Sequence, residues 1–229
     1  MGRPLRAAPG GYAYHVLNRG NGRATIFHKD GDYQAFEGVL AETLERIPGM
    51  RLVAYCLMPN HWHLVLWPRG DGELSDFMHW LTLTHTQRWH AHYHQVGGGH
   101  LYQGRFKSFP IQADEHFLTV CRYVERNGLR AGLAVKAEAW PWCSLARRHS
   151  ADDRERPILS PGPVAFPDDW RARVNRAQSE RELEALRQCV QRGQPFGSEP
   201  WIKRTAARLG LASTLRRRGR PKKAADKGS

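Results

Sequence analysis

The sequence predicts an α+β fold: an antiparallel sheet with the element order β-α-β-β-α-β and one more helix behind it. Three observations carry this reading. Short runs of alternating, β-branched or aromatic residues recur through the first half of the chain. Segments with apolar residues at helical spacing fall between and after them in the required order. Clusters of Pro, Gly and Asn separate the two kinds of segment.

Residues 12–19 (YAYHVLNR) alternate apolar and polar positions and run into Gly20-Asn21-Gly22, a strand followed by a turn. Residues 30–47 place Tyr33, Phe36, Val39, Leu40, Leu44 and Ile47 at helical spacing and stop at Pro48-Gly49. Residues 51–58 (RLVAYCLM) and 61–67 (HWHLVLW) flank Pro59-Asn60 and read as a hairpin. Residues 74–96 predict a long helix with Leu74, Phe77, Met78, Leu81 and Trp89 on its apolar side, closing at three glycines. Residues 101–111 (LYQGRFKSFPI) predict the fourth strand. Asp114 then caps a helix through Val124 that buries Phe117, Leu118, Cys121 and Val124. This is the split βαβ order of ferredoxin-like folds. Past Trp140-Pro141-Trp142 the texture changes: 151–169 read as an irregular linker, 180–190 and 201–209 as short amphipathic helices, and 215 onward as a tail. The expected organisation is a domain over 1–150 and a small helical, basic C-terminal extension over 151–229.

With 229 residues, 41% hydrophobic and 25% charged, and eight Trp, the chain has the composition of a folded protein. It holds 35 Lys+Arg against 22 Asp+Glu, a net charge of +13, which points to a polyanionic partner, in a cytosol most often nucleic acid. No apolar run reaches the ~18 residues of a membrane span, and the first thirty residues lack a signal-peptide core, so the expectation is a cytoplasmic protein with no membrane partner. Cys56, Cys121, Cys143 and Cys189 form no CxxC pair and read as reduced, buried thiols. The first 150 residues hold 17 Lys+Arg, 12 Asp+Glu and all 12 His, whereas the remainder holds 18 Lys+Arg and 10 Asp+Glu. Chemistry and bulk positive charge therefore lie in different parts of the chain.

His61-Trp62-His63 is the first feature with chemical content. Residues two apart on a strand share a face roughly 6 to 7 Å apart, so both imidazoles can reach one ion while Trp62 turns to the other side. Two half-exposed sheet histidines would give the same pattern. Tyr123 and Asn127, four apart in the last helix of the unit, share a face. Tyr123 reads either as a nucleophile or as a rim tyrosine, and Asn127 either as an amide-oxygen ligand or as a helix C-cap. His90 and His94 share a helix face that reads as solvated, His92 lies away from it, and His85, His100 and His116 read as solvated too.

Taken together, YHVLNRGNGRATIF, CLMPNHWHLVLWP, LYQGRFKS, FLTVCRYVERNGLRAGL and WPWCSL closely resemble the single-tyrosine HUH transposases, above all the REP-associated tyrosine transposases, over residues 10–144. The resemblance implies Mg²⁺ or Mn²⁺ held by His61, His63 and Asn127. It implies Tyr123 as the nucleophile on a DNA phosphate, giving a 5′-phosphotyrosine and a free 3′-OH. Relatives usually have Pro where this chain has Gly128, which bears on the helix end. A free phenol has a pKa near 10, so only about one in a thousand is ionised at pH 7, and a nearby cation would help such an attack. Imidazoles with an amide oxygen suit a labile Mg²⁺ or Mn²⁺ site.

For holding DNA, Arg19 ends the first strand, and Arg105 and Lys107 alternate in the fourth, where they could line a phosphate groove. Arg122 and Arg126, beside Tyr123, are weaker cases of the same kind. The tail carries Arg216, Arg217, Arg218, Arg220 and Lys222, and its Arg-Gly-Arg-Pro core looks like a minor-groove AT-hook. The expected partner is single-stranded or hairpin DNA, and the resemblance admits a monomer or a homodimer. Two rivals remain on the sequence: a domesticated, non-cleaving binder of structured DNA or RNA, and a zinc hydrolase built on the His-rich helix.

Overall fold

The computed structural model describes residues 8–149 and 158–216. Strand pairing sets the architecture. β1 (Ala13–Arg19), β2 (Met50–Met58), β3 (His61–Pro68) and β4 (Lys107–Ile111) form one antiparallel sheet in the order β2-β3-β1-β4. β1 and β3 are therefore the central strands, and both of their faces have to be covered.

The period-2 alternation sorts the strand residues between two cores. Tyr14, Val16, Trp62, Leu64 and Leu66 face α1 (Asp30–Arg46) and α2 (Glu73–His92), where they meet Phe36, Leu40, Phe77 and Leu81. Ala13, Val65, Phe109 and Ile111 face α3 (Glu115–Glu125), where they meet Phe117, Val120, Cys121 and Val124. α3 starts where Asp114 accepts the His116 N–H, the cap expected from the sequence. The helix follows the last strand and lies on the sheet face opposite α1 and α2.

Beyond α3 come α4 (Asn127–Arg130), α5 (Ser144–His149), α6 (Trp170–Asn175), α7 (Glu180–Arg192) and α8 (Glu199–Arg208). α6 and α7 complete the second core with Trp170, Val174, Leu183, Leu186 and Cys189. The fully buried Glu125 carboxylate ties this layer together: it accepts from Ser144 Oγ, from the Arg148 guanidinium and from Trp170 Nε1 at 2.7 Å. All four cysteines are buried free thiols, as expected. Among the described residues no helix is long and apolar enough to cross a membrane.

Five expectations need correction. The fourth strand covers only Lys107–Ile111, because Gly104 adopts φ 145° and takes the chain off the ladder. Residues before it still follow the end of β1, through the Gln103 N–H to the Arg19 carbonyl, but outside the strand. The long helix ends at His92, four residues early, since Tyr93 closes it and His94 turns left-handed at φ 52°. His85 is not on a solvated face. It is buried, its Nδ1 2.6 Å from the Tyr102 hydroxyl, and burial pushes its pKa down to about 3. His116, likewise expected to be solvated, is half-buried against Asp114. α6 was not anticipated from its six-residue pattern.

Candidate functional site

β3 sends His61 and His63 to the α3 side and Trp62 to the other, where the indole Nε1–H donates to the Tyr102 hydroxyl at 3.1 Å. Pairing of Leu17 with His63 and of His15 with Val65 puts His15 on the same face, one step along the neighbouring strand. His15 Nε2 lies 2.8 Å from His63 Nδ1. His61 Nδ1 donates to Asn60 Oδ1 at 2.6 Å. Each of the two predicted ligands thus has Nδ1 engaged, which leaves Nε2 to face an ion. For His63 to do so, its Nδ1 carries the proton and donates to His15.

Burial keeps these rings neutral. It pushes His15 down to about 3 and His61 down to about 4, with Arg19 and Arg130 adding to the shift at His61. His63 is held well below its ordinary value, first by burial and then by His15, His61, Arg130 and Arg19. Neutral imidazoles keep their lone pairs at physiological pH, as a metal ligand requires. Among the described residues no three His, Cys, Asp or Glu side chains cluster as a metal site. The ring centroids of His61 and His63 stand 5.1 Å apart.

α3 brings Tyr123 over the histidines. Its ring centroid is 5.8 Å from that of His63, at 84°, and 6.1 Å from that of His15, at 72°. The Tyr123 hydroxyl makes no hydrogen bond among the described residues. Asn127 lies just past the end of α3, in the separate turn α4, yet it reaches back: its Nδ2 donates to the Tyr123 and Val124 carbonyls, both at 3.2 Å. The two readings of Asn127 are therefore compatible. Capping uses the amide nitrogen and turns the oxygen outward, where it accepts from the Arg130 guanidinium. Gly128 lies under Trp140, and a Cβ there would come within 2.6 Å of the indole Cγ.

Two residues of this site escape sequence reasoning. His15 reads as an outward polar position in an alternating strand, and the signal that would expose it is strand order: in a central strand both faces are buried. Arg130 sits with Cζ 4.2 Å from the Tyr123 ring centroid and bonds to Asn127. Its signal was the helical spacing of three from Asn127 and seven from Tyr123.

Of the predicted DNA contacts, Arg19, Arg105 and Lys107 line one groove of about 460 Å³ together with Leu17, Gln103 and Val190. Arg105 reaches it from the irregular segment before β4 rather than from the strand. Arg122 and Arg126 serve the fold instead: Arg122 donates to the Arg176 and Ala177 carbonyls, and Arg126 to those of Val174 and Asn175 at the end of α6. Arg216 is exposed, its carbonyl bonded by Arg192. Arg217, Arg218, Arg220 and Lys222 lie outside the described residues.

The family model described as "Transposase IS200 like" matches residues 10–127, just over half of the chain. The chain belongs to the IS200-like transposase family. That match begins before β1 and ends on Asn127, so it spans the whole histidine and tyrosine constellation of this transposase. A solved REP-associated tyrosine transposase bound to a REP hairpin is similar in fold, with a TM-score of 0.52 and 19% identity over 72% of this chain and 95% of that one. A putative transposase from Deinococcus radiodurans R1 is 21% identical over 55% of this chain and 95% of that one, with a TM-score of 0.38. No curated protein matches the sequence.

Proposed function

We propose that this transposase is a cytoplasmic, metal-dependent DNA strand transferase. It cleaves and rejoins single-stranded DNA that folds into REP-like hairpins, through a 5′-phosphotyrosine on Tyr123. The observation that carries the reading is the approach of Tyr123 to His63, 5.8 Å between ring centroids, on one covered face of the sheet. The similarity in fold to a transposase bound to a REP hairpin supports the choice of DNA.

In the chemical step the Tyr123 oxygen forms a bond to phosphorus while the bond from phosphorus to the 3′-oxygen breaks. The phenolic proton passes to solvent, and the departing 3′-oxygen takes up one proton as 3′-OH. Reversal restores the phosphodiester without ATP, because the phosphotyrosine bond replaces the one broken. His61 and His63 would hold Mg²⁺ or Mn²⁺ through Nε2, with Asn127 Oδ1 as the third protein ligand. When bound, the ion neutralises charge that builds up on the phosphate. α3 fixes the approach of the phenol, since Val120, Cys121 and Val124 anchor the helix in the second core. Arg19, Arg105 and Lys107 hold the strand by its phosphates, and the tail beyond Leu215 adds a second, basic contact.

The test is a labelled oligonucleotide with a palindromic hairpin and single-stranded flanks, incubated with the full chain and Mn²⁺. A covalent protein–DNA adduct is expected from the wild type and none from Tyr123→Phe. Equal adduct from both would remove Tyr123 from the reaction, and binding without any adduct would make the protein a non-cleaving binder.

A further inference from the structure

Arg130 is a partly buried cation with no carboxylate partner among the described residues. Burial lowers its pKa from the ordinary guanidinium value; Tyr123 and Cys56 act against that shift, and Arg187 and Arg126 act with it. Its hydrogen bonds go to neutral oxygens only: Asn127 Oδ1, the Tyr123 carbonyl at 3.4 Å and Gln178 Oε1 at 3.4 Å. Near it stand two neutral imidazoles and a phenol ring, and the same imidazoles feel a second cation, Arg19, whose Nε is buried without a partner among the described residues. A desolvated guanidinium with no counter-charge is costly to keep, and here the arrangement becomes balanced only when an anion enters. The planar fork of Arg suits a phosphate.

The guanidinium also sits on the one oxygen that the metal reading requires. Asn127 cannot turn its amide around, because Nδ2 is spent on two helix carbonyls. Its single outward acceptor faces either Arg130 or an ion, and a bound divalent cation would stand close to a fixed positive charge.

We propose that Arg130 binds the scissile phosphate, and that before DNA arrives it holds the third metal ligand in reserve. DNA draws Arg130 off Asn127 and onto the phosphate, and the amide oxygen is then free for the ion. Metal and DNA therefore bind cooperatively, each raising the affinity for the other by the same factor. This inference rests on the metal-dependent reading given above.

The experiment uses the full chain in the Tyr123→Phe background, which keeps the ring under Arg130 and leaves DNA uncut. Free Mn²⁺ is followed by electron paramagnetic resonance, with and without the hairpin oligonucleotide. DNA is expected to tighten Mn²⁺ binding about tenfold or more. Adding Arg130→Met is expected to tighten Mn²⁺ about tenfold without DNA and to remove most of the gain from DNA. The same variant should lower the salt dependence of metal-free DNA binding by about one phosphate contact. A merely structural role for Arg130 would weaken both ligands and would not tighten Mn²⁺.

Mn²⁺ binding that is equally tight with and without DNA overturns the proposal from the Tyr123→Phe protein alone, whether or not Arg130→Met folds. Unchanged Mn²⁺ affinity and salt slope in Arg130→Met overturn it as well, and either result leaves the metal reading standing. Absence of Mn²⁺ binding under every condition overturns both.

Discussion

His15 illustrates how a side chain acquires a role from its neighbours. On its own strand it is one polar residue in an alternating run. Beside β3 it becomes the partner of His63 Nδ1 at 2.8 Å, fixing the ring's orientation. We expect His15→Phe, which fills the space without a ring nitrogen, to weaken Mn²⁺ binding in the presence of DNA about tenfold to a hundredfold. Titration calorimetry checks this, and unchanged affinity would reduce His15 to a packing residue. The shared face of His61 and His63 was legible in the sequence because a two-residue strand spacing survives folding; their selection together with Tyr123 and Asn127 came from the family resemblance, and Asn127 lies in the separate turn α4. Arg130 was not singled out, since an Arg one turn past a helix gives no sign of whether it points at solvent or at a phenol.

α3 is the element on which the site depends, since it carries the buried Tyr123 over the histidines while Val120, Cys121 and Val124 anchor it in the second core. Its last residue, Glu125, joins α3 to α5 and α6 through Ser144, Arg148 and Trp170. Removing that carboxylate leaves a guanidinium and an indole N–H without their acceptor. We expect Glu125→Ala to cost about 3–5 kcal/mol, measured by urea unfolding. A loss under roughly 1 kcal/mol would mean that the other contacts of α3 carry the layer. The sequence predicted α3 and its cap closely because amphipathic spacing and an Asp cap are local signals. It extended the fourth strand six residues too far, because an alternating polar pattern across Gly104 does not reveal that the glycine adopts φ 145°. It missed α6, whose six residues are too short for a period to show.

Across the whole molecule, His15, His61, His63 and His85 lie in covered layers with lowered pKa values. The unfolded chain takes up protons near pH 6.5 that the folded chain refuses. Stability is therefore level above about pH 6.5 and falls as pH drops below it, by up to about 1.4 kcal/mol per pH unit for each such histidine. The decline continues until the folded values are reached, about 4 for His61 and about 3 for His15 and His85. Urea unfolding at pH 7, 6, 5 and 4 should show this. His85→Gln, remote from the tyrosine, should make the slope shallower by about one proton. An unchanged slope in that variant would show that His85 does not contribute.

Local patterning by itself determined the order of strands and helices, the shared face of His61 and His63, and the excess of positive charge. Those properties are set within a few residues, by the 2-residue period of a strand, the 3.6-residue period of a helix, and composition. Tertiary structure decided which face of the sheet α3 covers, and so that the tyrosine meets the histidines. It also decided that His15 and Arg130 join them, that Arg122 and Arg126 cap α6 instead, and that His85 is buried. Each of these is a contact between segments distant in sequence, fixed by which apolar faces the sheet must cover, and no local period encodes it.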